Sequence, residues 1–474
     1  MGIHGTEKGR VTQMIFTGWD TPLALLKSEL EQREYEGFVV PSELRAAVSE
    51  LRRGEDDANL VAIEPLFEAL ALLAPDPDFQ YHQPNDLGEI RALRPDGPRT
   101  LTGIVTEDDL LDKFHGAWLG RACGCALGKP VELLGMRGTQ GMSGRQSIET
   151  YLKNRNDWPL NNYFTGQHAG DDIGIACPAS QRENIAYMEP DDDIHYTLIA
   201  LHVLEKHGPG FIWQDVAEAW NSCLPYNAIC TAETQAILNY SMQTPRMKTT
   251  PSFATPEFTS THMNPYREWI GAQIRADGWG YACAGMPELA AELAYRDACW
   301  THRANGIYGE MMFAAMTAAA FVCSDAIELI NIGLSEIPRD CRLAHATRDA
   351  VQWMSTCRDF GTYMQKVEAS YGDLSPVHTV NNAIVVIGSM YYGQMNFHQT
   401  ICTSVMGGWD TDCNGATCGS IVGAAIGAEA AESSLIGPLN DTVKPLVFGF
   451  SDVTMAELAE RTLVVHRKVK EHAA

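Results

Sequence analysis

The chain has 474 residues, of which 45% are apolar and 20% are charged, and its 35 basic and 60 acidic side chains give a formal net charge of −25. This composition is that of a globular protein and excludes a long disordered chain. An acidic surface repels phosphate backbones and anionic membranes, so we expect neither a nucleic acid nor a membrane as partner, although a local pocket for one pyrophosphate stays compatible with it. No run of about 20 apolar residues predicts a membrane-spanning helix.

The first residues and the cysteines bear on the compartment. Residues 1–6 lack the apolar core of a signal peptide and fit the N-myristoylation pattern only loosely. The 13 cysteines include no Cys-x-x-Cys pair, which favours free thiols over disulfides or a zinc ribbon. We therefore expect a cytoplasmic protein, while the oligomeric state stays open.

Residues 22–75 have apolar side chains at three- and four-residue steps, which predicts helices. A polar stretch with five prolines then runs from Pro75 to Pro98, and proline interrupts both helix and sheet. We interpret that stretch as a linker or a loop on the surface. The predicted division is an N-terminal helical extension with a Pro-rich linker, 1–100, and a second domain, 101–474.

The second domain is predicted to be all-α. Thr106 and Asp109 have the spacing of an acidic capping box, and later segments, such as 196–204, 287–300, 309–322 and 382–392, have helical periodicity or a high alanine content. Residues 129–190 are rich in Gly, Asn, Gln and Asp with little periodicity, which favours a lid or a binding loop.

Two predicted helices carry a glycine at every fourth position: residues 116, 120, 124 and 128 in one, and 415, 419, 423 and 427 in the other. Each glycine inside a helix costs roughly 1 kcal/mol relative to alanine, so four on one face require a compensating reason. The simplest reason is close backbone contact, and we predict that the two glycine-faced helices cross at the centre of a bundle.

Two acidic clusters each precede a predicted core helix: Glu189-Pro190-Asp191-Asp192-Asp193, and Asp410 with Asp412. Aspartate at a helix start is often only a cap, because it accepts free backbone N–H groups and favours the helix dipole. Clustered carboxylates also repel one another unless a cation neutralises them, and hard oxygen ligands suit magnesium, manganese or calcium. Two such clusters favour a metal site over capping alone.

Four motifs in order resemble those of the ADP-ribosylglycohydrolases, a family that includes the dinitrogenase-reductase-activating glycohydrolase and the ADP-ribosyl-acceptor hydrolases. They are the run 115–132 (HGAWLGRACGCALGKPVE), the run 191–194 (DDDI), the run 301–309 with Thr-His-Arg followed by Tyr-Gly, and the run 408–413 (GWDTDC). The resemblance covers about residues 107–430. The acidic triplet and the tryptophan-containing run resemble a bacterial branch with unsettled substrates.

The resemblance implies a compact all-α helical bundle with two Mg²⁺ ions in a central cleft, and Mn²⁺ is a possible substitute. The metal ligands that it implies are Asp191, Asp192, Asp193, Asp410 and Asp412. It further implies catalytic roles for Glu132 and Asp193 and substrate contacts for His302 and Tyr308. Trp409 stands where the family usually has a glycine, and we expect it to form a wall of the ribose or base pocket. The family's last ligand is a threonine, and here Cys413 stands in its place, although thiol is a poor magnesium ligand.

The expected function is magnesium-dependent hydrolysis of the glycosidic bond in an ADP-ribosyl or ribosyl conjugate, either protein-linked or a small molecule. Two alternatives stay open. One is a hydrolase of a free nucleoside or a biosynthetic riboside. The other is a non-catalytic ADP-ribose-binding protein, which the departures at Cys125, Ile194 and Cys413 suggest and the five clustered carboxylates oppose.

Overall fold

The computed structural model describes residues 18–103, 106–245 and 251–473, and the N-myristoylation pattern at residues 1–6 lies outside them. Within these ranges the regular structure is helical except for a two-stranded antiparallel ribbon, β1 (Thr442–Val443) and β2 (Val453–Thr454). The all-α prediction is confirmed. No helix in the described part of the chain is long and apolar enough to cross a membrane.

The N-terminal region contains four helices: α1 (Pro22–Tyr35), α2 (Ser42–Glu50), α3 (Leu60–Ala71) and α4 (Leu87–Leu93). Leucines of α1 and α3 form a small apolar core of their own, with Leu26, Ile63 and Leu70 each at 0% exposure. The helices predicted for 22–75 are therefore present. This small core is separate from the main apolar core.

The remaining helices enclose one large apolar core. Their bounds are α5 (Glu107–Gly128), α6 (Glu132–Arg137), α7 (Gly144–Asn154), α8 (Asp192–His207), α9 (Trp213–Cys223), α10 (Thr231–Gln243), α11 (Pro256–Thr261), α12 (Ala276–Ala282), α13 (Pro287–Ala298), α14 (Asn305–Ala320), α15 (Ala326–Leu334), α16 (Arg342–Met354), α17 (Phe360–Tyr371), α18 (Thr379–Tyr392), α19 (Phe397–Met406), α20 (Thr411–Ile426) and α21 (Met455–Ala473). Short 3₁₀ turns lie at Lys129–Val131, Pro178–Ser180, Tyr226–Ala228, Gln273–Arg275 and Gly437–Leu439.

The glycine faces of α5 and α20 pack directly against each other. A Cβ atom on Gly120 would overlap the carbonyl oxygen of Gly419, and one on Gly419 would overlap that of Gly120. The pairs Gly116 with Gly423 and Gly124 with Gly415 repeat this contact. The predicted close approach is confirmed, but the helices run antiparallel along four turns instead of meeting at a single crossing.

The segment 129–190 has more structure than its composition indicated. It contains the helices α6 and α7 and two 3₁₀ turns, so the prediction of one long structureless loop is wrong. Helix α7 begins with a reciprocal capping box, in which Ser143 accepts from the N–H of Gln146 and the Gln146 side chain accepts from the N–H of Ser143. Local capping therefore outweighs the weak periodicity of this segment.

The proline-rich stretch lies against the second region and is fastened to it by polar contacts. Arg94 and Arg99 each pair with Glu336 at 2.6 Å, and the N–H of His82 donates to the carbonyl of Asp340 at 3.1 Å. Tyr295 donates its hydroxyl hydrogen to the carbonyl of Asn85 at 3.0 Å. The stretch also contains α4, whose Ile90 is 0% exposed and joins the main apolar core, so it is more ordered than the predicted linker or surface loop. The domain boundary near residue 100 stays a prediction.

Candidate metal centre

The acidic clusters meet where the glycine-faced helices end. The C-terminal end of α5 touches the N-terminal end of α20, because the Thr411 hydroxyl donates to the Gly128 carbonyl at 2.8 Å. Helix α8 begins beside them, since Arg121 of α5 donates to the backbone carbonyl of Asp193 at 2.9 Å. The N-terminal ends of α8 and α20, both favourable for negative charge, therefore lie together.

Asp191 acts as a helix cap. It is the N-cap residue of α8, and its Oδ1 accepts from the N–H of Asp193 at 3.0 Å. Its Oδ2 forms an ion pair with Lys129 Nζ at 2.9 Å. Both oxygens of this carboxylate already have partners, so capping is the better interpretation of its immediate contacts.

Asp193 is fully buried and only partly paired. Its Oδ1 lies 3.3 Å from the guanidinium of Arg121, which also pairs with Asp277 at 2.6 Å. Its Oδ2 has no hydrogen-bond partner among the described residues. Burial raises the pKa of Asp193 well above its ordinary value, and the Arg121 charge only partly opposes that rise.

Asp410 and Asp412 carry free oxygen atoms in the same place. Asp410 is the N-cap residue of α20 but makes no side-chain cap bond, and Oδ1 of each aspartate is buried without a partner in the described structure. A sharp turn sets this geometry: Gly408 and Trp409 have φ values of 77° and 56°. Asn382 supports the turn, because its Oδ1 accepts from the N–H of Asp410 at 3.3 Å.

Mutual repulsion raises the pKa of the neighbouring acids. The pKa of Glu132 rises to about 9, chiefly because of the Asp412 charge and then because of burial. Burial and the Asp191 charge raise the pKa of Asp192 to about 8 and that of Asp412 to about 6. Glu132 and Asp192 are the partly exposed members of this group, so they form its side toward solvent.

The donor atoms are close enough to share cations. Three groups of side chains each place one donor atom per residue within 4.8 Å of the others: Cys125 with Asp191 and Asp193; Asp193 with Asp412 and Cys413; and Glu132 with Asp410 and Asp412. Asp193 and Asp412 each belong to two groups. Crowded carboxylates with unpartnered oxygens are the donor set that hard divalent cations require, so these residues fit such ions.

Two thiols border the carboxylates. Cys125 is 0% exposed and Cys413 is 7% exposed. Burial, followed by the charges of the nearby aspartates, raises the pKa of both thiols well above the ordinary value. They are therefore protonated in the absence of a cation, and thiol is a softer ligand than the threonine hydroxyl expected at position 413.

The remaining predicted site residues are Trp409, His302 and Tyr308. Trp409 is partly exposed and directly precedes Asp410, and its N–H donates to the Gly135 carbonyl at 3.1 Å. His302 and Tyr308 are both 0% exposed: His302 Nδ1 lies 2.7 Å from the hydroxyl of Thr301, and Tyr308 donates its hydroxyl hydrogen to the carbonyl of Pro84.

Within the described residues, neither His302 nor Tyr308 forms a hydrogen bond or an ion pair with the acidic group. Their role in substrate binding stays a prediction. In contrast, Glu132, Asp191, Asp193, Asp410 and Asp412 all belong to the three donor groups. Asp192 belongs to none of them but is near enough to Asp191 and Asp412 for their charges to raise its pKa.

Sequence reasoning missed two supporting residues, Arg121 and Lys129. For a third, Asn382, it left helix capping and a functional role equally open. Arg121 interrupts the small-residue run of α5 and is 0% exposed, so a charged residue on a predicted buried helix was the available signal. Its partner Asp277 lies 156 positions away, a distance that no local pattern bridges. Asn382 stands inside an apolar helix, where a buried amide also needs partners.

The fold and the site define an all-α protein with a buried carboxylate centre at two helix N-termini. Residues 106–472 match the family described as ADP-ribosylglycohydrolase, and the chain belongs to that family. A solved structure described as "ADP-ribosylglycohydrolase-related protein complex" aligns with a TM-score of 0.49 and 17% identity, over 76% of this chain and 99% of that chain. No curated protein matches the sequence. Family membership supports a glycohydrolase activity.

Proposed function

We propose that the protein is a divalent-metal-dependent hydrolase that cleaves the N-glycosidic bond of an ADP-ribosyl or ribosyl conjugate. The observation that carries this proposal is the set of buried, unpartnered oxygens: Asp193 Oδ2, Asp410 Oδ1 and Asp412 Oδ1. Leaving a buried carboxylate oxygen without a partner is costly. A bound cation would remove that cost, whereas helix capping does not.

Two Mg²⁺ or Mn²⁺ ions would be held by Asp192, Asp193, Asp410 and Asp412. Asp191 would become a further ligand if its ion pair with Lys129 opens. When bound, such ions supply charge that orients ribose hydroxyls and makes a water molecule more acidic. The fit rests on carboxylate oxygens alone, because the thiols of Cys125 and Cys413 are poor ligands for these two metals.

Glu132 is the best-placed general base once bound cations offset the Asp412 charge, which together with burial raises its pKa in the metal-free protein. It is partly exposed, and its donor oxygen lies within 4.8 Å of those of Asp410 and Asp412, so it can hydrogen-bond a water molecule at the edge of the carboxylate group. Asp193 is fully buried and held by Arg121. We therefore assign proton acceptance to Glu132 and a positioning and ligand role to Asp193.

The carboxylates also suit the charge that develops in the reaction. Cleavage of a glycosidic bond passes through a transition state with positive charge on the sugar, like an oxocarbenium ion. Fixed negative groups stabilise that charge without reorganising. Trp409 is partly exposed beside Asp410, and we assign to it an apolar wall for the ribose or the base.

The test is a turnover assay with purified protein, with EDTA and with added Mg²⁺ or Mn²⁺, on ADP-ribosyl-arginine, an ADP-ribosylated serine peptide and free nucleosides. We expect metal-dependent release of ADP-ribose or ribose from at least one substrate. Turnover of nucleosides alone would instead indicate the nucleoside hydrolase.

A matched pair of variants separates the proposed site from a general effect on stability. Asp410→Asn should abolish turnover, whereas Asp325→Asn should not, although Asp325 is also an N-cap residue, at the exposed start of helix α15. Calorimetric binding of ADP-ribose without turnover of any substrate, in any metal, would replace the hydrolase with the non-catalytic binding protein.

A further inference from the structure

A cavity separate from the candidate metal centre lies between the N-terminal region and the main core. It measures about 320 Å³ and is lined from the N-terminal side by Phe38, Phe79 and Tyr81 and from the core side by Arg267 and Arg303. None of its lining residues belongs to the acidic group of the candidate metal centre. Its size is within the range of small-molecule pockets.

Arg303 is the unsatisfied group of this cavity. The guanidinium is partly buried, and among the described residues it has no ion pair within 4.0 Å and no hydrogen bond. Neighbouring Arg267 is fully paired, at 2.6 Å with Glu29 and 2.7 Å with Glu36. Burial lowers the pKa of Arg303, and the more distant Glu257 only partly compensates.

The other polar groups that line the cavity offer more free hydrogen-bond donors than free acceptors. The carboxylate of Glu36 is occupied by Arg267 at 2.7 and 2.8 Å. Asn85 Oδ1 accepts from the N–H of Ala304 at 2.7 Å, and Gln83 Oε1 accepts from Asn305 at 2.8 Å. The amide nitrogens of Asn85 and Gln83 have no partner in the described residues, so both stay available as donors.

The cavity also has aromatic walls. The rings of Phe79 and Tyr81 meet edge to face with centroids 5.4 Å apart, and Phe38 lies with its ring centroid 5.0 Å from the guanidinium carbon of Arg33. All three aromatic side chains are partly exposed. Partly exposed rings next to an unpaired cation offer a stacking surface and an anchor for negative charge.

We propose that this cavity binds a small molecule that carries a phosphate or a carboxylate beside a planar ring. Arg303 holds the anionic group, the amides of Asn85 and Gln83 donate to it or to the ring substituents, and the aromatic walls contact the ring. Glu257 stands at the exposed edge, where its charge competes with the ligand for Arg303.

The proposal does not depend on the glycohydrolase function. The experiment is isothermal titration calorimetry in EDTA, with the Asp410→Asn protein, so that the candidate metal centre contributes nothing. The probes are AMP, benzoate, adenosine and inorganic phosphate. AMP and benzoate distinguish a nucleotide from an aromatic acid, and the other two probes test the ring and the anion separately.

We expect AMP or benzoate to bind more tightly than adenosine and phosphate. In the Asp410→Asn background, Arg303→Met should weaken binding by about tenfold or more, as expected for loss of a charge-assisted contact. In the same background, Glu257→Gln should tighten binding. Arg358→Met is the matched control, because the Arg358 side chain is 88% exposed and lies outside the cavity.

Three results would overturn the proposal. One is the absence of binding by all four probes in the protein with Arg303 intact. A second is equal affinity with and without Arg303, with both proteins folded by circular dichroism. Because Glu257→Gln leaves Arg303 in place, it tests the site even if Arg303→Met is unstable: unchanged affinity in Glu257→Gln would also count against the site.

Discussion

Asp191 and Asp410 occupy the same position on two helices, the N-cap, but only Asp191 uses its carboxylate as a cap. The Asp191 Oδ1 accepts from a backbone N–H at 3.0 Å, whereas the Asp410 side chain makes no cap bond and its Oδ1 is buried without a partner. Helix capping therefore explains one acidic cluster in part and leaves the other unexplained, and the second cluster is where we propose that a cation binds.

The first prediction concerns this free carboxylate. Asp410→Asn removes a buried carboxyl group whose pKa is raised well above its ordinary value by burial and by the Asp412 and Glu132 charges, so we expect the metal-free protein to melt at the same or a higher temperature. The stabilisation that Mg²⁺ or Mn²⁺ gives to the wild type should disappear, because binding to the folded state alone raises the melting temperature. Scanning calorimetry with EDTA and with each metal measures both effects.

Asp325→Asn serves as the control, since Asp325 caps a helix on the surface through the N–H of Glu328 at 2.8 Å. It should keep the full metal-dependent shift. If Asp410→Asn also keeps that shift, Asp410 does not hold a cation.

The second prediction is a pH dependence. The pKa values of Asp412, Asp192 and Glu132 are raised to about 6, 8 and 9 in the folded protein, above the roughly 4 of unfolded carboxyls. Between those limits the folded state binds more protons than the unfolded state, so the free energy of unfolding falls as pH rises. In EDTA, the melting temperature should therefore decrease from about pH 5 to about pH 9.

Bound cations should reduce that decrease, because they replace the protons. Melting curves at several pH values, with EDTA and with saturating Mg²⁺, compare the two slopes. Glu132→Gln should flatten the upper part of the EDTA curve. Parallel curves with and without metal would contradict a cation at these carboxylates.

Much of the architecture could be predicted from local patterns. Helical spacing and alanine content predicted an all-α fold, and the four-residue repeat of Gly116, Gly120 and Gly124 predicted backbone contact between two helices. That contact fixes α20 and the Asp410–Asp412 cluster beside α5. The other cluster precedes α8, which has no glycine face and lies beside α5 because Arg121 donates to the carbonyl of Asp193. Local patterns therefore predict the position of one acidic cluster, whereas contacts between residues distant in sequence bring the other cluster beside it.

The features that sequence patterns did not predict depend on contacts between residues that are distant in sequence. The pairing of Arg121 with Asp277 joins residues 156 positions apart, and the burial of Tyr308 depends on Pro84, 224 positions earlier. Helix α7 was missed for another reason. Its capping signal, Ser143 with Gln146, lies in the sequence, but the Gly- and Asn-rich surroundings favoured a loop.

The third prediction tests the glycine contact. Gly120→Ala should destabilise the protein by about 3 kcal/mol or make it insoluble, because the added methyl group meets backbone of α20 that cannot move aside as a side chain can. The control is Gly210→Ala, since a Cβ atom there meets nothing within 4 Å. Urea unfolding compares the two, and equal stability would show that the helices are not in backbone contact.

The fourth prediction concerns how the N-terminal region is fastened. Glu29→Gln with Glu36→Gln leaves the guanidinium of Arg267, which is 1% exposed, without a carboxylate. Breaking a buried ion pair in this way costs roughly 3–5 kcal/mol. Glu34→Gln is the control on the same helix, because its partner Arg45 is 51% exposed and such surface pairs contribute at most about 1 kcal/mol.

Denaturant unfolding followed by tryptophan fluorescence measures both variants. If residues 18–103 and the main core unfold as one unit, the double variant should lower a single transition. An early separate transition, with the main transition unchanged, would instead show that the N-terminal region unfolds independently.

The last prediction concerns Cys413, whose sulfur lies within 4.8 Å of donor oxygens of Asp193 and Asp412. If the thiol meets a bound cation, Cys413→Ser should tighten Mg²⁺ binding and weaken Cd²⁺ binding, because hydroxyl oxygen is the harder donor and sulfur the softer one. If Cys413 only packs, the serine buries a hydroxyl group and lowers stability without changing the ratio of the two affinities. Cys283→Ser is the control for that second case, since Cys283 is also buried but belongs to none of the three donor groups. Calorimetric titration of the three proteins with each metal decides between them: a Mg²⁺ to Cd²⁺ affinity ratio that is equal in wild type and Cys413→Ser would exclude the thiol as a ligand.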